Sequence, residues 1–285
     1  MTLWEAALLG VIQGLTEFLP ISSTAHLLVA REWLGHADPK DSFTTVVQLG
    51  TLVAVFVYFR KDIWKILNAV IGDVRLYRIG SSVDTRLAWL IVLGTIPAGL
   101  AGFLFQKKIK STFYNTQSMA VVAIVFALLM LAAEVWHKRR KRPELGEAGI
   151  GWREAIWMGL WQMLALMPGA SRSGSTISGG LFAGLNRSTA ARFSFLLSLP
   201  TIFAAGVKDL YDEYKAFKTD STGLFASGDQ MTALLIGTVV SGVVGYLSIA
   251  WLLGFLRKYS MTVFVVYRIV LGVVLLGLVA RGTLR

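Results

Sequence analysis

The sequence contains no cysteine, and its 285 residues include three histidines and 17 acidic residues against 28 basic ones. Without cysteine there can be no disulfides, so cysteine usage carries no information about the redox compartment. No lysine or arginine precedes the first apolar run, MTLWEAALLG, so we expect no cleaved signal peptide.

Apolar residues make up 55% of the chain, and its mean hydropathy is +0.61. Long apolar runs separated by short basic loops predict an all-α polytopic membrane protein. A net charge of +11 would also suit a nucleic-acid-binding protein. However, loop lysines and arginines set the orientation of membrane proteins, so no nucleic-acid partner is expected.

Six segments are apolar and near the ~20 residues that a hydrocarbon core requires. These predicted transmembrane helices are roughly 44–59, 87–106, 118–136, 189–207, 230–256 and 262–280. Two further apolar stretches, about 3–34 and 152–186, are interrupted by FLPISSTAH and LMPGASRSGST. Their halves are too short to span a bilayer, so we predict two re-entrant helix–loop–helix hairpins.

The two halves of the chain resemble each other. GTIPAGLAGFL at Gly94–Leu104 matches GTVVSGVVGYL at Gly237–Leu247, and Gly10, Gln13 and Ser22 recur 149 positions later as Gly159, Gln162 and Ser171. We therefore predict one integral membrane domain, 1–285, built from repeats of about 1–140 and 150–285. Because each repeat crosses three times, the second is inverted, and the two breaks should meet near the membrane midplane.

One break, PGASRSGST, contains Arg172. A charged side chain at membrane depth costs at least ~2.5 kcal/mol on insertion scales and marks a functional site by default. The nearby hydroxyl groups of Ser171, Ser173 and Thr176, together with the following helix N-terminus, favour an anion, because a guanidinium fork matches phosphate oxygens. The alternative is a structural arginine that satisfies carbonyl groups of the broken helix.

The other break, TEFLPISSTAH, carries the candidate reactive groups. Glu17 should close the first half-helix and His26 open the second, so both side chains would point into the gap. The carboxylate could hold a divalent cation or act as a base, and the imidazole could shuttle a proton or attack phosphorus. Ser22 and Ser23 could cap the second half-helix or act as a nucleophile.

Two other polar residues lie in apolar segments. Gln13 precedes Glu17 by one helical turn on the same face, so it is interpreted either as a partner of Glu17 or as a helix-packing residue. Arg268, at the start of the last apolar segment, is expected to extend its side chain to the cytoplasmic surface.

QGLTEFLPISSTAH and PGASRSGSTISGG closely resemble the two signature motifs of the undecaprenyl pyrophosphate phosphatase family, also called bacitracin resistance proteins. The resemblance extends over the whole chain. It implies a membrane enzyme that removes the terminal phosphate of undecaprenyl pyrophosphate and regenerates the lipid carrier of cell-wall precursors. It also implies a divalent cation and functional roles for Glu17, Ser23, His26 and Arg172. Many members have a glutamate where this chain has Gln13.

We therefore predict a multi-pass hydrolase of the bacterial cytoplasmic (inner) membrane that confers bacitracin resistance. The predicted catalytic residues are Glu17, Ser23, His26 and Arg172, and Glu17 is also the predicted ligand of Mg²⁺ or Ca²⁺. The predicted substrate-binding residues are Gln13, Ser22, Ser171, Ser173 and Thr176. Ser23, His26 and water all stay open as the nucleophile.

The expected partners are a prenyl pyrophosphate lipid and the surrounding membrane lipid, with a homodimer as an open option. The alternative function is a lipid-carrier flippase or transporter, since inverted repeats with broken helices are also transporter features.

The distribution of basic residues predicts the orientation. Sixteen lysines and arginines, including the run at 138–142, lie at one end of the predicted transmembrane helices and ten at the other. The richer end should face the cytoplasm, so an even number of crossings places both termini and the mouth of the site on the periplasmic side. Tags on both termini should react with an impermeant reagent in intact spheroplasts. Reaction only after lysis would show the reverse topology.

Overall fold

The computed structural model describes residues 1–36, 42–220 and 228–283, and these residues are almost entirely helical. The helices are α1 (Leu3–Phe18), α2 (Ser23–Trp33), α3 (Ser42–Tyr58), α4 (Arg60–Arg75), α5 (Val83–Phe113), α6 (Thr116–Arg139), α7 (Trp152–Leu164), α8 (Arg172–Ala183), α9 (Arg187–Asp220), α10 (Gly228–Leu256) and α11 (Thr262–Ala280). An isolated bridge joins Leu145 and Leu185. The all-α prediction is confirmed for the described residues. Lys40 and Arg285, counted in the orientation argument, lie outside them.

Five helices are long and apolar enough to cross a membrane, namely α5, α6, α9, α10 and α11. Helices α3 and α4 form a sixth candidate only when they are taken together, and they bend by 71° at their junction. A polytopic membrane protein is therefore confirmed, while the count of six stays a prediction. Several helices exceed their predicted lengths, and α9 continues to Asp220, well beyond the predicted end at residue 207.

Helix α4 is an element that the sequence reasoning missed. Its apolar residues Trp64, Leu67, Ile71 and Val74 recur at helical spacing, and all four are exposed. Arg60, Lys61 and Lys65 are also exposed on the same helix. A helix with this charge cannot cross a hydrocarbon core, but its amphipathic pattern suits a position at the membrane surface.

The two predicted hairpins correspond to α1–α2 and α7–α8. Each has a serine in a left-handed backbone conformation just before its second helix, with φ of 75° at Ser22 and 67° at Ser171. A non-glycine residue in such a conformation costs about 1–3 kcal/mol and persists only where its surroundings enforce it. The sequence repeat aligns these same two serines, so their shared conformation supports the predicted equivalence of the hairpins.

The packing of the hairpins is reciprocal. Helix α1 packs along α10, and α7 packs along α5. At Gly10 an added Cβ would lie 2.5 Å from the carbonyl oxygen of Gly237, and at Gly159 it would lie 2.2 Å from that of Gly94. The glycines that align in the repeat therefore permit the same close backbone approach twice, once in each half of the protein.

A chain of aromatic rings runs from the first hairpin toward the basic end of the molecule. The Phe195 ring lies 5.5 Å from that of Phe18 and 6.3 Å from that of Phe59, and all three side chains are buried. Beyond Phe59 lies a polar cavity of about 270 Å³ that is lined in part by Asp62, Arg192 and Arg257. Arg192 pairs there with Asp62 at 2.7 Å.

We predict that Gly159→Ala destabilises the fold by about 1–3 kcal/mol, the usual cost of overpacking, because the new methyl group would meet the Gly94 backbone. Gly99→Ala is the matched control on the partner helix, because a Cβ there meets nothing within 4 Å. Alanine favours helix, so this control should be neutral or slightly stabilising. Thermal unfolding in detergent measures both variants, and equal transition temperatures would contradict the close-packing argument.

Candidate active site

The two breaks meet inside the protein. The Ser173 hydroxyl donates a hydrogen bond to the carbonyl oxygen of Leu19 at 3.2 Å. Arg172 Nη1 lies 3.7 Å from Glu17 Oε1. The predicted contact between the two hairpins is therefore confirmed, and it brings the acidic residue of one break to the arginine of the other.

The Glu17 carboxylate is buried and accepts hydrogen bonds from three elements. Gln13 Nε2, one turn earlier on α1, donates to Oε2 at 3.0 Å. Ser23 Oγ, at the start of α2, donates to the same oxygen at 2.8 Å. Gln48 Nε2 on α3 donates to Oε1 at 2.9 Å. These donors offset the cost of placing an anion in apolar surroundings, and they fix the orientation of the carboxylate.

Gln48 is a site residue that the sequence reasoning missed. The available signal was a single amide side chain within the predicted apolar segment 44–59. Gln13, by contrast, is confirmed as a hydrogen-bond partner of Glu17, which was one of its two interpretations.

Arg172 is the first residue of α8, so its side chain leaves the helix at the break. Its Nη1 atom is buried and has no hydrogen-bond partner among the described residues. Buried donors in native proteins are nearly always paired with protein, water or ligand. This guanidinium nitrogen, 3.7 Å from the Glu17 carboxylate but without a hydrogen bond, is thus a donor that can bind an anionic oxygen.

The three predicted hydroxyl ligands of the second break are bound to protein groups. Ser171 Oγ accepts from the amide of Gly174 and caps α8, and Ser173 contacts Leu19. The Thr176 hydroxyl donates to the carbonyl oxygen of Arg172 at 2.8 Å and contacts Ser194 on α9. The side chains of Ser171, Ser173 and Thr176 thus hold the first turn of α8 in place, and their contact with substrate stays a prediction.

His26 forms hydrogen bonds with other groups than the expected position beside Glu17 would suggest. Its Nδ1 lies 2.8 Å from the carbonyl oxygen of Ser22, and its Nε2 lies 2.6 Å from the hydroxyl group of Tyr267 on α11. Within the described structure, its hydrogen bonds go to these groups rather than to Glu17 or Arg172. Ser22 is the N-cap residue of α2, but its side chain makes no capping hydrogen bond.

The prediction that Arg268 reaches the cytoplasmic surface is wrong. Arg268 is completely buried, and its Nη2 donates to the carbonyl oxygen of Gly169 at 2.8 Å. The broken chain around Gly169 leaves this carbonyl without a helical partner, and a buried guanidinium satisfies it. The signal that identified Arg172, a charge in an apolar segment, applied equally to Arg268.

The family model of the bacitracin resistance protein BacA matches residues 6–274. The chain belongs to this family. Among curated relatives of this family, an undecaprenyl-diphosphatase of Chloroherpeton thalassium is 48% identical over 287 residues, covering 100% of this chain and 99% of the relative. An undecaprenyl-diphosphatase of Pelodictyon phaeoclathratiforme is 47% identical, and one of Chlorobium phaeobacteroides is 46% identical, each covering 100% of both chains.

We predict that Glu17→Gln lowers turnover by about 10²–10⁴-fold, the usual contribution of a positioned acid–base group, while the fold is retained. The substitution keeps the shape of the side chain but removes its charge. Glu5→Gln on the same helix is the control, because glutamine can replace glutamate in the capping box that Glu5 forms with Thr2. Phosphate release and gel-filtration profiles measure activity and folding. Full activity of the Glu17 variant would contradict the role of the carboxylate.

Proposed function

We propose that this protein hydrolyses undecaprenyl pyrophosphate to undecaprenyl phosphate and inorganic phosphate, and thereby recycles the lipid carrier of cell-wall synthesis. Membership of the bacitracin resistance family and the names of the full-length relatives support the reaction. The observation that carries the proposal in this chain is the position of Arg172 Nη1, which lies 3.7 Å from Glu17 and has no hydrogen-bond partner among the described residues. This geometry suits a pyrophosphate clamped between the two hairpins.

Ser23 is the nucleophile that the geometry favours. Its hydroxyl already donates to Glu17 Oε2 at 2.8 Å, and this is the contact that a nucleophile and its base require. In the proposed reaction, Glu17 takes the Ser23 proton, and Oγ forms a bond to the terminal phosphorus. The bond between that phosphorus and the bridging oxygen breaks, and undecaprenyl phosphate leaves with the proton from Glu17. Water then gives a proton to Glu17 and attacks the phosphoserine. The bond between Oγ and phosphorus breaks, phosphate is released, and Glu17 returns the proton to Ser23.

We assign His26 to proton transfer, the commonest catalytic role of an imidazole. Its ring nitrogens contact Ser22 and Tyr267. It lies three residues after Ser23 on α2, so the two side chains are neighbours on one face of the helix. Arg172 would bind the phosphate oxygens and offset the charge that develops on them.

A divalent cation fits the residues present. Glu17 offers a carboxylate, and Gln13 and Gln48, which donate to its two different oxygens, each carry an amide oxygen that could also bind a cation. Mg²⁺ is commonly held by one or two carboxylates together with substrate phosphates. Bound there, Mg²⁺ or Ca²⁺ would supply positive charge to the phosphate groups.

We further infer that the protein lies in the cytoplasmic membrane as two inverted repeats, with the site open to the periplasm. The reciprocal glycine contacts of α1 with α10 and of α7 with α5 support the repeat. The flippase alternative is not favoured, because the relatives carry the name of a phosphatase.

The test is phosphate release from a long-chain prenyl pyrophosphate by the purified protein, with and without a chelator. We expect release that falls when the cation is removed.

Arg172→Lys should lose most of the activity although the charge is kept, because an ammonium group cannot reproduce the planar guanidinium fork. Arg153→Lys, on the exposed start of α7, is the matched control. A folded wild-type protein that releases no phosphate, yet moves the lipid between leaflets, would overturn the proposal.

A further inference from the structure

Two adjacent residues of α11 contact the two different hairpins. The hydroxyl group of Tyr267 lies 2.6 Å from His26 Nε2 at the first break, and Arg268 Nη2 donates to the Gly169 carbonyl oxygen at the second break. The Tyr267 and His26 rings are parallel within 8°, with centroids 5.7 Å apart. A single turn of α11 therefore contacts both halves of the proposed site.

The chemistry of the partners determines which atom donates in each His26 contact. A carbonyl oxygen can only accept, so the contact between Nδ1 and the Ser22 oxygen at 2.8 Å requires the proton on Nδ1. In a neutral imidazole Nε2 is then the acceptor, and the Tyr267 hydroxyl donates to it. The two contacts together therefore place the single ring proton of neutral His26 on Nδ1.

The backbone at Ser22 serves the same arrangement. Its φ of 75° is unusual for serine, and no side-chain capping bond accompanies it. A conformation of this kind persists where the surrounding structure enforces it. Here it accompanies a carbonyl group that accepts from the imidazole four residues later, so Ser22 and Tyr267 hold opposite edges of the same ring.

We propose that Tyr267 is a positioning residue of the phosphatase site, which fixes the tautomer and the orientation of His26 through the hydrogen bond to Nε2. The proposal rests on the proposed function, because His26 is there assigned to proton transfer. Tyr267 has no expected contact with the substrate, and it acts only through the imidazole. Its loss should therefore lower kcat and leave KM nearly unchanged.

The direct readout is the imidazole itself. The chain has three histidines, His26, His36 and His137, so protein labelled with ¹⁵N-histidine gives few ring signals, and His26→Gln assigns one of them. In the wild type the His26 signals should show a proton fixed on Nδ1. In Tyr267→Phe they should move toward a mixture of tautomers. Tyr259→Phe, which removes a hydroxyl group from an exposed tyrosine outside the site, should leave them unchanged.

The kinetic readout is a double-mutant cycle. Tyr267→Phe should lower kcat about tenfold, a fraction of the ~10²–10⁴ that a positioned acid–base group contributes. In a His26→Gln background the same change should have no further effect, because the coupling energy measures action through that residue. Equal losses in both backgrounds would show a packing role only, and unchanged imidazole signals or unchanged kcat would also overturn the proposal. An inactive wild type would count against the phosphatase function instead, since the NMR measurement does not depend on turnover.

Discussion

The geometry of the proposed site depends on keeping a buried carboxylate beside a guanidinium group. A buried carboxylate is costly unless it is paired and hydrogen-bonded. Glu17 avoids this cost through three neutral donors as well as Arg172. Arg172 Nη1 lies 3.7 Å from Glu17 but has no hydrogen-bond partner among the described residues. This nitrogen can donate to an anionic oxygen of the proposed substrate.

The breaks in the two hairpins allow both backbone groups and side chains to form the site. Irregular backbone in apolar surroundings must have its polar groups paired by other parts of the protein, and α10 and α5 pack along the two hairpins. The glycine contacts at Gly10 and Gly159 bring these helices close. Arg268 satisfies an exposed carbonyl in the second break, and Ser173 ties that break to the first. The packing thus supports the polar groups rather than competing with them.

Sequence reasoning could predict the parts of the structure that depend on local pattern. Apolar runs predicted the helices, and the motif residues Glu17, Ser23 and Arg172 do meet. Residues whose role depends on a distant helix were missed or misassigned. Gln48, Tyr267 and Arg268 reach the site from α3 and α11, and no spacing in the chain reveals which face of those helices turns inward. Helix α4 was missed for another reason. Its charged residues made the segment resemble a basic loop, although its apolar residues recur at helical spacing.

The buried rings of Phe18, Phe195 and Phe59 lie between the proposed site and the polar cavity at the basic end. Charged and hydroxyl groups inside an apolar protein can pass protons from one to the next. Phenyl rings offer no hydrogen bond to water or to a hydrated proton. These edge-to-face and tilted rings therefore form an insulating layer that separates the proposed hydrolytic site from the cavity.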